Sequence, residues 1–351
     1  MKVGFGLYKN SLNKDNYKFV NQIGATHIVA HLTNYFSGSN PEISSGEENG
    51  WGICENEPIW DIELLSGLKK EINENGLELE AIENFNPLHW YDILLDGPEK
   101  FKQIENLKKL LQNMGKVGIP IMGYCFSLAG VWGWERGEYA RGNAESVALI
   151  EGSRDLQEPI PDGMIWNMRY REGNPNKHVP ITKEKEVWER LKFFLDQLLP
   201  VAEENNVILA AHPNDPPLPV MRRTGRILKN PSEYEDLINI NKSLSNKIEM
   251  CLGSIQEMKE PGLEKDLDKF SKENRIGYIH FRNVKGKVPS YTEAFVDDGD
   301  INMVKVIKIL KKNNFNGVII PDHTPALNCS APWHAGMAYA VGYIKGLINS
   351  I

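Results

Sequence analysis

Residues 207–217 read VILAAHPNDPP, an apolar run of five residues that leads into His212 and a proline-rich segment. Such a run is typical of a buried parallel strand, and the prolines stop the strand and stiffen the loop that carries the imidazole. In a (β/α)8 barrel the carboxyl ends of the strands meet at one mouth, where catalysis takes place. Three later apolar runs have the same design, and each leads into a potential metal ligand: Ile248–Met250 before Cys251, Ile276–Ile279 before His280, and Val318–Pro321 before Asp322.

Strand-like and helix-like segments alternate along the whole chain, which favours a parallel sheet. The strands are predicted at Lys2–Leu7, Thr26–His31, Leu77–Ile82, Ile119–Phe126, Val207–Ala211, Lys247–Cys251, Ile276–Phe281 and Gly317–Pro321. The helices are predicted at Lys14–Ile23, Trp60–Asn75, Glu99–Val117, Lys183–Asn205, Pro231–Leu244, Leu263–Lys272, Met303–Asn314 and His334–Ile348. The predicted fold class is α/β, a (β/α)8 TIM barrel that occupies residues 1–351 as a single domain.

Two connections are longer than ordinary turns. Residues 33–59 follow the second strand and are rich in Gly, Ser, Asn and Glu, and residues 127–182 follow the fourth strand. Because loops that follow barrel strands lie on the catalytic face, both are expected to cover the mouth as lids or substrate walls. Trp134 and Arg136 lie in the second of these loops and are candidate substrate-binding residues.

Composition narrows the class of protein. The chain has 351 residues, 25% of them charged, and a net charge of −7 without a basic cluster, which argues against nucleic acid as a partner. No apolar run approaches the roughly 18 residues of a membrane span, so no membrane association is expected. The first residues, MKVGFGLYKN, lack the apolar core of a signal peptide, and the four cysteines are scattered. These features predict a cytoplasmic protein with reduced thiols.

Each potential ligand also has a structural interpretation, since histidines at strand ends and lone cysteines are commonly core residues. Four such residues at the ends of four successive strands favour a shared metal site instead. Two imidazoles, a thiolate and a carboxylate suit a divalent transition metal, and the thiolate favours manganese, iron, cobalt or zinc over magnesium. The metal ligands predicted on this basis are His212, Cys251, His280 and Asp322.

Other residues near these strand ends are candidates for substrate chemistry. His323 follows Asp322 and could serve as an acid or base. Arg282 alternates with His280 along the strand, so it could face the substrate, although an ordinary surface salt bridge explains it equally well. Asn214, from the HPNDPP segment, is a further candidate for substrate binding. The chain lacks GxGxxG, GxSxG, P-loop and HExxH motifs, which leaves dinucleotide-binding and serine-hydrolase functions without support.

Several segments, taken together and in chain order, resemble the mannonate dehydratase family. They are AIENFNP at 81–87, GYCFSLAGVWGWERG at 123–137, HPNDPP at 212–217, GRI at 225–227, CLGS at 251–254, HFRNVKG at 280–286, FVDDGDINM at 295–303 and PDH at 321–323. The resemblance implies a xylose-isomerase-like TIM barrel with manganese held by the four predicted ligands, and His323 as a catalytic residue beside it. It also implies that a six-carbon sugar acid, D-mannonate, loses water to give 2-keto-3-deoxy-D-gluconate.

The chain departs from the family pattern at several positions. Ile320 stands where the family has an Arg, and Thr324 stands where it has a Gly. The family carries a catalytic Tyr after PDH, whereas TPALNCSAPWHAGMAYAVGY at 324–343 places none clearly there, which leaves His334 as the fallback acid or base. A metal-dependent sugar isomerase or epimerase on the same barrel therefore stays open, as does a metal- or sugar-binding protein without catalysis. A homo-oligomer is also expected.

Overall fold

Eight parallel strands form a closed barrel in the computed structural model, which describes residues 1–35 and 52–351. Each strand pairs with the next along the chain, and the last pairs with the first. The predicted TIM-barrel class is confirmed. The strands are β1 (Lys2–Leu7), β2 (His27–Ala30), β3 (Glu78–Glu83), β4 (Ile121–Tyr124), β5 (Ile208–Ala211), β6 (Asn246–Cys251), β7 (Ile276–His280) and β8 (Val318–Ile320).

Helices surround the barrel, and ten α-helices lie in the described parts of the chain. Apolar side chains between strands and helices form the main core, and a second apolar cluster fills the barrel itself, with Val29, Ala81, Ile121, Ala210, Tyr278, Val318 and Ile320. The helices are Lys14–Gln22, Ile62–Glu74, Pro87–Leu95, Lys100–Val117, Glu184–Glu204, Glu233–Ile240, Leu252–Glu257, Leu263–Lys272, Met303–Lys312 and Pro332–Ser350. In the described residues, no helix combines the length and apolar character that a membrane span requires.

Two of these helices are additional to the predicted eight. Pro87–Leu95 begins with a proline and is capped by Asn86, whose side chain accepts a hydrogen bond from the backbone of Leu88. It is buried along most of its length, so its sequence lacks the alternating polar face that marks a surface helix. Leu252–Glu257 spans six residues, which is too short for a periodic pattern to be recognised.

A four-stranded antiparallel sheet joins two connections that are far apart in the chain. Its strands, in spatial order, are Asn283–Lys287, Ser290–Ala294, Ala144–Leu149 and Trp134–Ala140. The first two strands follow β7, and the other two belong to the long connection after β4. A short hairpin, Met164–Ile165 with Met168–Arg169, lies in the same connection. Of the predicted loop 33–59, residues 36–51 lie outside the described residues.

Candidate functional site

The structure brings together three of the four predicted ligands, at the carboxyl ends of β5, β6 and β7. Ligand atoms of His212, Cys251 and His280 all lie within 4.8 Å of one another. The Nδ1–H of His212 donates to the carbonyl oxygen of Pro213 at 2.6 Å, so Nε2 is the ring nitrogen that could bind a metal. The Cys251 sulfur accepts hydrogen bonds from the backbone and the hydroxyl of Ser254, the latter at 3.1 Å.

Asp322, the fourth predicted ligand, approaches this group through His280. Its Oδ2 lies 3.3 Å from Nδ1 of His280, and also 3.3 Å from Nε of Arg282 and from Nε2 of His323. The residue has a φ of 62°, in the left-handed region that non-glycine residues seldom adopt, and it lies two residues after the end of β8. The turn directs the carboxylate toward His280 on the neighbouring strand. If the strand had continued in regular form, successive side chains would have pointed to opposite faces.

The environment favours the anionic forms of two of these groups. Burial alone would raise the pKa of the Cys251 thiol, but the charge of Arg282 and hydrogen bonds from both imidazoles hold the pKa well below its usual range. Burial acts in the same direction on Asp322, and His280 and His323 outweigh it, so the pKa of that carboxyl is also well below its usual range. A thiolate and a carboxylate therefore lie next to two imidazoles in a buried site.

Arg282 lies in the interior of the protein. The alternative interpretation from the sequence, an ordinary salt bridge at the surface, is therefore wrong. It is 3% exposed, and its guanidinium faces four carboxylates and one hydroxyl. All of these contacts are to protein groups, so the residue holds the acidic side chains around the site in place. The partners are Glu257 at 2.7 Å, Glu293 at 3.3 Å, Asp322 at 3.3 Å, Ser254 at 3.0 Å, and Asp215 in a close ion pair.

His323 is the more accessible imidazole at this mouth, with about a third of its side chain exposed. Its Nδ1 lies 2.7 Å from Oε1 of Glu293, and its Nε2 lies 3.3 Å from Oδ2 of Asp322. Burial would lower the pKa of this ring, but Asp322 and Glu293 outweigh it and raise the pKa to about 9. His323 therefore carries a proton at neutral pH.

The predicted substrate residues take different positions. The Trp134 ring lies 5.8 Å from the His323 ring, and its Nε1–H donates to the hydroxyl of Tyr291 at 2.7 Å. Arg136, two residues further along the same strand, is half exposed, with its guanidinium 3.5 Å from the carboxylate of Glu145. Asn214 is buried, and its side-chain oxygen has no hydrogen-bond partner among the described residues.

His334 is not brought to this group of residues. Its Nε2 lies 3.2 Å from the side-chain oxygen of Asn16, and its ring packs against Phe19 and Trp333 at 4.8 Å each. It stands in the first turn of the last helix, Pro332–Ser350, and fixes that helix against the first one, Lys14–Gln22. Its proposed use as an acid or base is therefore corrected: its described contacts belong to helix packing.

Two buried glutamates that sequence reasoning missed lie beside His280. Oε2 of Glu83 and Oε1 of Glu249 are each 3.2 Å from its Nε2, and the hydroxyl of Tyr278 donates to Glu83 at 3.1 Å. Burial and the charge of Glu83 raise the pKa of Glu249 to about 8. Burial also acts to raise the pKa of Glu83, but His31 and His280 outweigh it and lower the pKa to about 2.

A sequence signal for both glutamates was present. Glu83 ends the third strand, and Glu249 stands two residues before Cys251, which places both β6 side chains on the same face. An acidic side chain in a buried strand is costly unless it is paired or binds a metal, so such a residue marks a candidate site. The backbone of Gly123 leaves room for this group, since a Cβ there would lie 2.6 Å from the Glu249 carboxylate and 2.3 Å from the Tyr278 hydroxyl.

Comparison with known proteins gives a consistent result. A family model described as D-mannonate dehydratase (UxuA) matches residues 1–351. A mannonate dehydratase of Streptococcus suis is 30% identical over 276 residues, covering 75% of this chain and 74% of its own. One of Geobacillus thermodenitrificans is 28% identical over 285 residues, covering 76% of each chain.

Solved structures extend the comparison to the fold. The crystal structure of a mannonate dehydratase from Streptococcus suis serotype 2 superposes with a TM-score of 0.77 at 27% identity, and the match covers 100% of this chain and 93% of that one. A D-psicose 3-epimerase from Clostridium cellulolyticum H10 superposes with a TM-score of 0.57 at 13% identity, over 99% of both chains. The second likeness concerns the barrel alone.

Proposed function

This chain belongs to the D-mannonate dehydratase family, and on that premise we propose that it removes water from D-mannonate to give 2-keto-3-deoxy-D-gluconate, with a divalent metal at the barrel mouth. The family makes the chain a hydro-lyase. The observation that supports this reaction and its metal is that His212, Cys251 and His280 lie close together, with Asp322 beside His280. Relatives of the chain are named mannonate dehydratases.

His212, Cys251, His280 and Asp322 would hold the ion. Two features support the fit: the ligand atoms of the first three lie within 4.8 Å of one another, and Oδ2 of Asp322 lies 3.3 Å from Nδ1 of His280. Bound there, Mn²⁺, or alternatively Fe²⁺, Co²⁺ or Zn²⁺, would act as a Lewis acid for the charge that develops on the substrate carboxylate as the C2 proton leaves.

His323 would supply the proton that the reaction consumes. Dehydration requires one proton to leave C2 and another to join the departing C3 hydroxyl, so that water is released and the enol becomes a keto acid. Because neighbouring Asp322 and Glu293 raise the pKa of His323 to about 9, the ring is protonated at neutral pH and suits the second of these transfers.

The substrate would lie between the ligand group and the antiparallel sheet. Trp134 forms a wall next to His323, and Asn214 has a buried carbonyl oxygen able to accept a hydrogen bond from a sugar hydroxyl. Arg136 on the same strand supplies a positive charge for an anionic substrate. Arg282 contacts the site's carboxylates, so we assign it to holding these groups rather than to the substrate.

The product distinguishes this function from its alternatives. The protein, loaded with Mn²⁺, is incubated with D-mannonate, and the product is treated with periodate and thiobarbiturate, which detects a 2-keto-3-deoxy acid. Sugar isomerisation or epimerisation gives no colour, so a negative result with metal-loaded protein overturns the proposal. D-Gluconate serves as the stereochemical control, and protein stripped with a chelator tests the metal requirement.

We further propose that the enzyme works in the cytoplasm as a homo-oligomer with a single domain. The state of the cysteines supports the compartment, because Cys54, Cys125, Cys251 and Cys329 are all free thiols. Sedimentation at several protein concentrations tests the oligomeric state.

A further inference from the structure

The side chain of Glu293 reaches the proposed acid from a part of the fold that carries none of the predicted ligands. It is 5% exposed and belongs to the strand Ser290–Ala294 of the antiparallel sheet. One carboxylate oxygen lies 2.7 Å from Nδ1 of His323, and the other lies 2.9 Å from the same nitrogen. A carboxylate only accepts hydrogen bonds, so the hydrogen between these groups resides on Nδ1 of the ring.

The contact with Glu293 occupies Nδ1 of His323 and leaves Nε2 as the ring nitrogen available for proton transfer. With Nδ1–H donated to Glu293, Nε2 is directed to the other side, where Asp322 lies at 3.3 Å and the Trp134 ring packs next to the imidazole. A carboxylate that holds one nitrogen of a catalytic imidazole sets its tautomer and its orientation. The arrangement gives His323 a defined reactive nitrogen.

The position of Glu293 is itself supported from two sides. Its carboxylate also contacts the guanidinium of Arg282 at 3.3 Å. Its backbone carbonyl accepts a hydrogen bond from the hydroxyl of Ser146, on the neighbouring strand from the connection after β4, at 3.1 Å. Side chains whose own positions are fixed in this way hold a reacting group within narrow limits.

We propose that Glu293 is a positioning residue for His323, which holds the imidazole through Nδ1 so that Nε2 is the nitrogen available for proton transfer during dehydration. The inference rests on the proposed function, because it assigns Glu293 a role only if His323 transfers a proton in that reaction. Glu293 acts through the ring and is not assigned any contact with the substrate.

The test combines enzyme kinetics with nitrogen NMR of the His323 ring. Glu293→Gln keeps the shape of the side chain but removes its charge, and Glu293→Asp keeps the charge. We expect Glu293→Gln to lower kcat about 10²-fold or more, within the range for a misplaced acid, while KM and Mn²⁺ affinity stay within about 3-fold of wild type. Glu293→Asp should recover part of kcat. Glu138→Gln, at an exposed carboxylate on the same sheet, is the matched control and should leave kcat unchanged.

Nitrogen NMR of ¹⁵N-histidine-labelled protein gives a readout independent of turnover. The signals of His323 are assigned by their loss in His323→Ala, and those of Nδ1 and Nε2 should change in Glu293→Gln but not in Glu138→Gln. In the double variant Glu293→Gln/His323→Ala, kcat should equal that of His323→Ala alone, since groups that act as a unit are not additive.

The outcomes separate the two proposals. If wild-type protein forms no 2-keto-3-deoxy acid, or if His323→Ala retains full kcat, the proposed function or its acid is wrong. If His323→Ala loses kcat while Glu293→Gln retains it and the His323 signals do not move, the Glu293 inference alone is wrong. If Glu293→Gln does not fold, Glu293→Ala decides, because it removes the carboxylate contact altogether: unchanged kcat and unchanged His323 signals in Glu293→Ala overturn the inference.

Discussion

Replacing Arg282 by methionine tests how much the buried charges at the mouth depend on one cation. Arg282 is 3% exposed and contacts the carboxylates of four acidic residues, Asp215, Glu257, Glu293 and Asp322. Removing one partner of a buried ion pair costs about 3–5 kcal/mol, because the remaining charge is left uncompensated. Methionine has a similar length without the charge, so Arg282→Met should lower the free energy of unfolding by at least this amount.

The expected change in melting temperature follows from the size of the chain. The entropy of unfolding is roughly 2 cal/mol/K per residue, so 3–5 kcal/mol corresponds to a fall in Tm of about 4–7 °C for 351 residues. Calorimetry of chelator-treated protein at neutral pH measures it without any contribution from metal binding.

An exposed ion pair provides the matched control for this change. Arg141 pairs with Asp297 at 2.9 Å, and its side chain is about half exposed. Such pairs contribute about 0–1 kcal/mol, so Arg141→Met should change Tm by about 1.5 °C or less. Equal effects of Arg282→Met and Arg141→Met would refute the reasoning that burial makes Arg282 indispensable.

Three further predictions concern single side chains. Glu83→Gln weakens the carboxylate contact with Nε2 of His280, so Mn²⁺ affinity measured by competition with a chelator should fall about 10–100-fold, and unchanged affinity would contradict the prediction. Cys251→Ser replaces a soft donor by a hard one and should lower affinity for Zn²⁺ and Co²⁺ more than for Mn²⁺ in the same assay. Burial raises the pKa of Asp266 to about 6 in the folded protein, whereas an Asp in the unfolded chain titrates near about 4. The free energy of unfolding therefore falls as pH rises from about 4 through 6, because the unfolded chain loses its proton more readily than the folded protein does. Asp266→Asn should therefore raise the free energy of unfolding at pH 7.5 by about 1–2 kcal/mol, a value that allows for the lost interaction of the carboxylate with the helix dipole. Urea unfolding at pH 4 should show a smaller gain, because Asp266 is then protonated in the folded protein.

The barrel strands could be predicted closely because each is an apolar run bounded by residues that end strands. The predicted bounds of β1 match those observed, and those of β6 differ by one residue at the start. The meeting of His212, Cys251 and His280 followed from the same pattern, since parallel strands of one barrel end at one mouth.

The partners of those residues could not be predicted in the same way. Glu293 lies 30 residues before His323 and reaches it through a hairpin that pairs with strands from the connection after β4. Such pairing depends on tertiary contact between distant segments, which local periodicity does not encode. Glu249 differs in that it lies within a predicted strand, two residues before Cys251, and a pattern that predicts ligands only at strand ends does not include it.

The side chains at the mouth come from two different parts of the fold, the barrel strands and the antiparallel sheet. The predicted ligands lie at or beside the ends of barrel strands, whereas Trp134, Tyr291 and Glu293 come from crossover connections that the barrel does not need in order to close. Substitutions, insertions or deletions in those connections can therefore alter which sugar acid binds and how the proton is transferred. The ligand group on the barrel strands would stay intact. For protein engineering, this sheet is the place to seek altered substrate selectivity, and the barrel strand ends are the place to leave unchanged.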